Sequence, residues 1–170
     1  RLGKSTTSCA ASEKSNHGWR HVVMSKGMVI TGTVGADTHV IAARLLQYAL
    51  EQHGFEVVCL GAYVSLEEFV NTAVETDADA IFVSSIYGMA DLDCKDLRGK
   101  CIEAGLDTIL LFLGGNITTE YRPDKWPSVE NKFKTMGFDR VYPPGTMPAI
   151  AIKELEDDLA KRRAFETHGS

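Results

Sequence analysis

Short apolar runs alternate with longer amphipathic stretches along most of the chain. The β-branched run at 28–34 predicts a buried strand, and residues 39–53 carry apolar side chains at helical spacing up to Gly54. Ser65 and Glu68 form an S-x-x-E capping box at the start of a second helix. The same alternation predicts strands over 55–61, 79–86, 108–115 and 138–142, and helices over 65–75, 92–104, 128–136 and 148–163. This order favours a flavodoxin-like (Rossmann-like) α/β fold, a doubly wound five-stranded parallel sheet flanked by helices.

The two ends of the chain lack this alternation. Residues 1–26 are rich in Ser, Thr and Lys without sustained periodicity, which is typical of a flexible extension. Residues 164–170 are expected to form a disordered tail. The pattern therefore divides the chain into an N-terminal extension at 1–26, one domain over 27–163, and the tail.

Composition and charge limit the possible functions. The 170 residues are 44% hydrophobic and 24% charged, which is ordinary for one globular domain. The formal net charge is −5 without a long basic block, so nucleic acid is not an expected partner. No apolar run reaches the roughly 20 residues that cross a bilayer, so no membrane association is expected. The cysteines have no metal-type spacing, which favours buried reduced thiols and a cytoplasmic protein.

Small and polar residues follow four of the predicted strands. Because the carboxyl ends of parallel strands meet at one edge of a sheet, we expect these segments to line a ligand groove there. In chain order the segments are GADTH (35–39), GAYVS (61–65), SSIYG (84–88) and GGNITTE (114–120).

Asp37 and His39 are the most distinctive pair in these segments. A carboxylate two residues before a histidine can accept the hydrogen of one ring nitrogen and leave the other nitrogen free to bind a metal. A zinc ion needs three or four protein ligands, and only one is visible here. One histidine suffices where the metal arrives already coordinated, as cobalt does inside a corrin. The pair alone does not decide the matter, because a lone D-x-H is more often a helix cap beside a solvated histidine.

Three motifs in a fixed order point to a family. Asp37-Thr38-His39, Ser84-Ser85-Ile86 and Gly114-Gly115 stand at the ends of the first, third and fourth predicted strands. Together they resemble the D-x-H-x-x-G, S-x-L and G-G signature of proteins that bind cobalamin with a histidine on the cobalt. VSSIYGMADLDCKDLRGKCIEAGL, LFLGGNI and KTMGFDRVYPPGT further resemble the small sigma subunits of glutamate mutase, also called methylaspartate mutase, over roughly residues 28 to 147.

The resemblance implies a role for each motif. His39 would bind the cobalt of adenosylcob(III)alamin, with Asp37 as its hydrogen-bonding partner. Ser84 would place its hydroxyl near the displaced benzimidazole, and Gly114 and Gly115 would let the backbone approach the nucleotide tail. The full set of cofactor-binding residues that the resemblance implies is Ala36, Asp37, Thr38, His39, Val40, Ser84, Ser85, Ile86, Gly114, Gly115, Asn116, Ile117, Thr118, Thr119 and Glu120.

The resemblance also implies an activity and a partner. Glutamate mutases are isomerases that interconvert L-glutamate and threo-3-methyl-L-aspartate by radical chemistry. Nothing in this chain resembles a binding site for an amino-acid dicarboxylate. We therefore expect a larger catalytic subunit to bind the substrate, in a heterotetramer, and this chain to bind cofactor and be inactive alone. No residue here is then catalytic beyond ligation of the cofactor.

Two departures from the cobalamin motif leave other functions possible. Ala42 stands where the motif has its last glycine, and Ile86 replaces its leucine. The main alternatives are a cobalamin-binding carrier or sensor domain, or the cobalamin subunit of another carbon-skeleton mutase. A response-regulator receiver would need an Asp and a Lys where this chain has residues 84–86 and 114–116. A flavin or dinucleotide site would need a denser glycine loop than residues 32–35 offer.

Overall fold

The fold is described from a computed structural model that covers residues 25–119 and 121–168. Its strands are β1 Met28–Val34, β2 Glu56–Val64, β3 Ala80–Ser84, β4 Leu110–Gly114 and β5 Arg140–Tyr142. Its helices are α1 Ile41–Gln52, α2 Leu66–Thr76, α3 Ala90–Asp93, α4 Leu97–Glu103, α5 Trp126–Thr135 and α6 Pro148–His168, with a 3-10 turn at Pro123–Lys125 before α5. Within the covered residues, no helix is long and apolar enough to span a membrane.

All five strands are parallel and lie in the order β2-β1-β3-β4-β5. This is the doubly wound order of flavodoxin-like proteins, so the predicted fold class is confirmed. From β1 the chain moves to one side to form β2, then crosses to the other side to form β3. The carboxyl ends of β1 and β3 therefore flank the switch point, where open parallel sheets bind their ligands.

Helices cover both faces of the sheet, because adjacent strand residues point to opposite sides. Ile30 and Ile81 pack in a core cluster with side chains of α2, α4 and α5. Val29 and Phe82 pack in a second cluster with α1 and α6. Residues 80–83 of β3 are all buried, which explains why this strand has a continuous apolar run instead of an alternating one.

The prediction of one helix over 92–104 is wrong in one respect, because the structure has two helices there, α3 and α4. Asp96 lies between them with φ of 72°, in the left-handed region that Asp tolerates better than most residues. A Cβ at Gly99 would lie 2.3 Å from the Asp96 carboxylate, so the glycine makes room for this break. The break keeps both Cys94 and Leu97 in the core.

The ends of the predicted elements also differ. Of the predicted extension, only Ser25 and Lys26 are among the described residues, so the division near residue 26 stays a prediction. Helix α6 continues to His168, so residues 164–168 are helical instead of belonging to the predicted tail. β2 runs three residues beyond its predicted end, to Val64. The predicted capping residue Ser65 accepts a hydrogen bond from the Glu68 backbone N–H at 3.1 Å.

Ion pairs fasten α6 to the sheet. Arg140 of β5 donates to both carboxylate oxygens of Asp158, at 2.8 and 2.9 Å. Arg162 pairs with Asp79, whose other oxygen accepts the Met28 N–H at 3.0 Å. These contacts hold the middle and the carboxyl-terminal half of α6 against the sheet.

Replacing Asp158 with Asn should make stability less sensitive to acid. The Arg140 guanidinium lowers the pKa of Asp158 below its ordinary value of 3.8, although partial burial acts in the opposite direction. A lowered carboxyl pKa stabilises the fold above pH 3.8, and this contribution is lost as the pH falls through the folded-state value. We expect Asp158→Asn to cost about 2 kcal/mol of unfolding free energy at pH 7 and less at pH 2, measured by urea unfolding.

Asp157→Asn is the matched control, because Asp157 is the exposed neighbour on the same helix. It should track the wild type at both pH values. An equal cost of Asp158→Asn at pH 7 and pH 2 would contradict the ion pair as the source of the effect.

Candidate cofactor site

The loop between β1 and α1 buries the side chain of Asp37 and exposes that of His39. Gly35 begins the loop with φ of 69°, and its N–H donates to the Val64 carbonyl at 3.0 Å. The Asp37 side chain is fully buried, whereas the His39 side chain is 58% exposed. The carboxylate is therefore enclosed by protein, whereas much of the imidazole is open to solvent beyond the carboxyl end of β1.

Three groups donate to the buried Asp37 carboxylate. Its Oδ1 accepts the His39 backbone N–H at 2.9 Å and lies 2.7 Å from His39 Nδ1. Its Oδ2 accepts the Ile86 backbone N–H at 2.6 Å. Burial by itself raises the pKa of Asp37, but the hydrogen bonds from Ile86 and His39 outweigh it and lower the pKa below 3.8. Asp37 is therefore an anion at neutral pH.

This contact decides which ring nitrogen His39 presents. An ionised carboxylate can only accept, so His39 Nδ1 carries the hydrogen that Asp37 Oδ1 accepts. In the neutral ring, Nε2 then holds a free lone pair. The hydrogen bond also fixes the orientation of the ring. The pair can supply one well-oriented nitrogen ligand to a metal.

A groove of about 550 Å³ opens beside this loop, between α1 and the start of α6. Its volume is in the range of small-molecule sites, and apolar side chains dominate its walls. Ser84, at the end of β3, brings a hydroxyl into these surroundings. The lining residues are Ala42, Ala43, Leu45, Leu46, Phe82, Val83, Ser84, Ile86, Leu113, Gly114, Gly115, Asn116, Tyr142, Pro143, Pro144, Gly145, Thr146, Met147, Pro148 and Ala151.

Gly114 and Gly115 serve different purposes in this groove. A Cβ at Gly114 would approach Tyr142 no closer than 3.7 Å, an ordinary contact, so here the glycine mainly leaves the groove open. Gly115 has φ of 108°, and a Cβ there would lie 2.3 Å from the Ser85 carbonyl oxygen. The requirement for Gly115 therefore comes from the packing of the two strand ends, independently of any ligand.

The structure brings part of the predicted site together. Ala36 and Thr38 are exposed on the loop with His39, and Val40 is the half-buried residue that precedes α1. Five predicted residues share the lining of the groove, and these are Ser84, Ile86, Gly114, Gly115 and Asn116.

Other predicted residues lie away from the groove. Ser85 is fully buried, and Ile117 belongs to the core cluster on the opposite face of the sheet. Thr118 pairs with Met89 in an isolated antiparallel bridge, beside the exposed Thr119. Glu120 lies outside the described residues.

Residues 142–148 form a wall of the groove that the sequence analysis did not assign to the site. They follow β5, so the rule about carboxyl ends of parallel strands could have included them. The YPPGT stretch served there only as part of a family resemblance. Leu45, Leu46 and Ala151 were also missed, because helical periodicity does not distinguish a groove wall from a core contact.

Comparison with known proteins first establishes the class. Residues 27–150 match the family described as the B12 binding domain, so the chain is a B12-binding domain protein. A glutamate mutase sigma subunit from Carboxydothermus hydrogenoformans is 52% identical over 136 residues, which are 80% of this chain and 98% of that protein. The corresponding subunit from Clostridium tetani is 48% identical over the same shares. The chain belongs to the glutamate mutase sigma subunit family, which confirms the predicted resemblance.

Solved structures agree with this class. The monomethylamine corrinoid protein of Methanosarcina barkeri superposes with a TM-score of 0.62 at 27% identity, and the match covers 78% of this chain and 57% of that one. A cobalamin-binding protein from Desulfitobacterium hafniense DCB-2 gives a TM-score of 0.63 at 21% identity, over 78% of this chain and 58% of that one. This chain thus spans little more than half the length of those two proteins, and the second likeness concerns the fold alone.

Gly115→Ala should be clearly more destabilising than Gly105→Ala. Both glycines have positive φ, but a Cβ at Gly105 would meet no atom within 4 Å. The Gly105 variant therefore measures the conformational cost alone, about 1 kcal/mol. At Gly115 the clash with Ser85 adds to this cost, for a total of about 2–4 kcal/mol. Equal losses in thermal or urea unfolding would contradict the proposed contact.

Proposed function

We propose that this chain binds adenosylcobalamin with His39 as the lower axial ligand of cobalt, and acts in glutamate mutase with a larger catalytic subunit. The observation that carries the proposal is the Asp37–His39 pair, which holds Nδ1 at 2.7 Å and leaves Nε2 free on an exposed ring. Membership of the glutamate mutase sigma subunit family supports the reaction. When bound, the cofactor supplies the radical chemistry of the mutase.

The protein's contribution at the metal is to orient one nitrogen. Asp37 holds the ring in one tautomer and increases its electron donation, as a carboxylate does behind other metal-bound histidines. Ile86 holds Asp37 in turn through its backbone N–H. The His39 ring is thus positioned by its own loop, through Asp37, and by the end of β3, through Ile86.

The groove fits the nucleotide tail that a histidine ligand would displace from cobalt. Apolar walls suit the faces of a benzimidazole, and the Ser84 hydroxyl can donate to its ring nitrogen. Gly114 is paired with Ser84 across strands β3 and β4. Because it has no side chain, it leaves space in the groove next to Ser84. Asn116 and Thr146 add polar groups to the lining, where the ribose and phosphate could hydrogen-bond.

The two departures from the cobalamin motif are compatible with this role. Ile86 contacts Asp37 through its main chain, so exchanging leucine for isoleucine leaves that bond intact. Its side chain lines the groove and keeps the apolar character of the position. Ala42 lines the same groove in the first turn of α1, so its methyl group narrows the space for the tail without blocking it.

Replacing His39 with Ala should remove the nitrogen ligand from cobalt. With cob(II)alamin bound to protein containing ¹⁵N-histidine, the EPR spectrum of the wild type should show splitting from one imidazole nitrogen. His39→Ala should lose this splitting and bind cobalamin about 10- to 100-fold more weakly. His53→Ala is the control, because His53 is an exposed residue at the far end of α1 whose ring contacts only the Ala49 carbonyl. Histidine splitting that persists in His39→Ala would exclude the assignment.

A second test concerns the division of labour between subunits. The chain alone should bind adenosylcobalamin without isomerising L-glutamate, and the activity should appear when the catalytic subunit of a glutamate mutase is added. Sedimentation of the active mixture should show a heterotetramer. Isomerisation by this chain alone would contradict the proposal, and cofactor binding without activity in the mixture would favour a cobalamin carrier.

A further inference from the structure

Tyr87 lies directly after Ile86, beyond the end of β3, and acts on the β1–α1 loop through one intermediate residue. Its hydroxyl donates a hydrogen bond to the Asp93 carboxylate. Asp93 in turn lies against Gly35, in the loop after β1. Consecutive residues at the end of β3 thus act on that loop, Ile86 through its bond to Asp37 and Tyr87 through its bond to Asp93.

Asp93 contacts the β1–α1 loop at Gly35. It is the last residue of α3, whose first residue, Ala90, is fully buried, as is Cys94 after it. A Cβ at Gly35 would lie 2.4 to 2.6 Å from the Asp93 carboxylate atoms. The backbone of Gly35 therefore rests directly on this carboxylate, and only glycine leaves enough space for the contact.

Hydrogen bonds, more than packing, hold the loop in place, and besides those of the Asp37 carboxylate the Tyr63 N–H donates to the Asp37 carbonyl at 3.3 Å. Ala36, Thr38 and His39 are all exposed, so the loop gains little from packing in the core. Its position therefore depends on a small number of hydrogen bonds. A shift of the Gly35–Ala36 peptide would move Asp37, and through it the ring of His39.

We infer that Tyr87 and Asp93 form a positioning pair that fixes the loop carrying His39 and so orients its Nε2 toward cobalt. This inference rests on the proposed ligation by His39. The hydrogen bond to Asp93 also raises the pKa of Tyr87, which keeps the hydroxyl protonated and able to donate at neutral pH. Neither residue needs to touch the cofactor for this effect.

The test compares Tyr87→Phe with the wild type in the full chain. The substitution removes only the hydroxyl that donates to Asp93, so the loop should loosen and the Gly35 N–H, which donates to the Val64 carbonyl, should exchange with solvent about 10-fold faster in the cofactor-free protein. Cobalamin should bind up to about 10-fold more weakly, the low end of the loss that follows removal of a metal ligand's own partner, because Tyr87 acts on the loop that carries that partner. The histidine splitting in the cob(II)alamin EPR spectrum should weaken or broaden. Tyr48→Phe, on the exposed face of α1, is the matched control and should change none of these measurements.

Substitutions of Asp93 distinguish positioning from a general loss of structure. Asp93→Asn keeps an oxygen that can accept from Tyr87, so it should retain most of the affinity for cobalamin, whereas Asp93→Ala should lose at least as much as Tyr87→Phe, because it also removes the group beneath Gly35. The double variant should be no worse than Asp93→Ala alone, because that change already removes the contact with Tyr87. Wild-type exchange and wild-type EPR splitting in Tyr87→Phe would overturn the inference. Absence of histidine splitting in the wild type would instead reject the proposed ligation, and with it this inference.

Discussion

A buried carboxylate that accepts hydrogen bonds from two different loops is the interaction on which the candidate site depends. Asp37 is fully enclosed and ionised, and such a group is costly unless donors surround it. The donors come from His39 on its own loop and from the Ile86 backbone at the end of β3. The same bonds that stabilise the charge therefore also orient the ring and join the two strand ends at the switch point of the sheet.

The sheet order explains why the groove lies beside this carboxylate. Because β1 and β3 are neighbours and their connections leave in opposite directions, no helix covers the space between their carboxyl ends. Helix α1 forms one wall of the groove and the start of α6 forms the other. The ion pairs of α6 with Arg140 and Asp79 fasten the later part of that helix to the sheet.

Main-chain groups carry several of the contacts that the family motifs describe. Ile86 supplies an N–H, which is unaffected by the exchange of leucine for isoleucine. Gly115 is required because its neighbour is the Ser85 carbonyl, whereas Gly114 leaves space in the groove. Such contacts explain how a motif position can change its side chain while the geometry of the site is kept.

The sequence by itself determined the strands, most helices and the Asp37–His39 pair, because these depend on local periodicity and on residues two positions apart. It also contained the cobalamin and sigma-subunit motifs. Only the tertiary structure decided the break at Asp96, the burial of Ile117 and the wall formed by residues 142–148. The tertiary structure also determined that Asp37 accepts the Ile86 N–H, from a residue 49 positions further along the chain. These features depend on which distant segments the parallel sheet brings side by side. A local pattern of residues does not specify contacts between segments that are far apart in the chain.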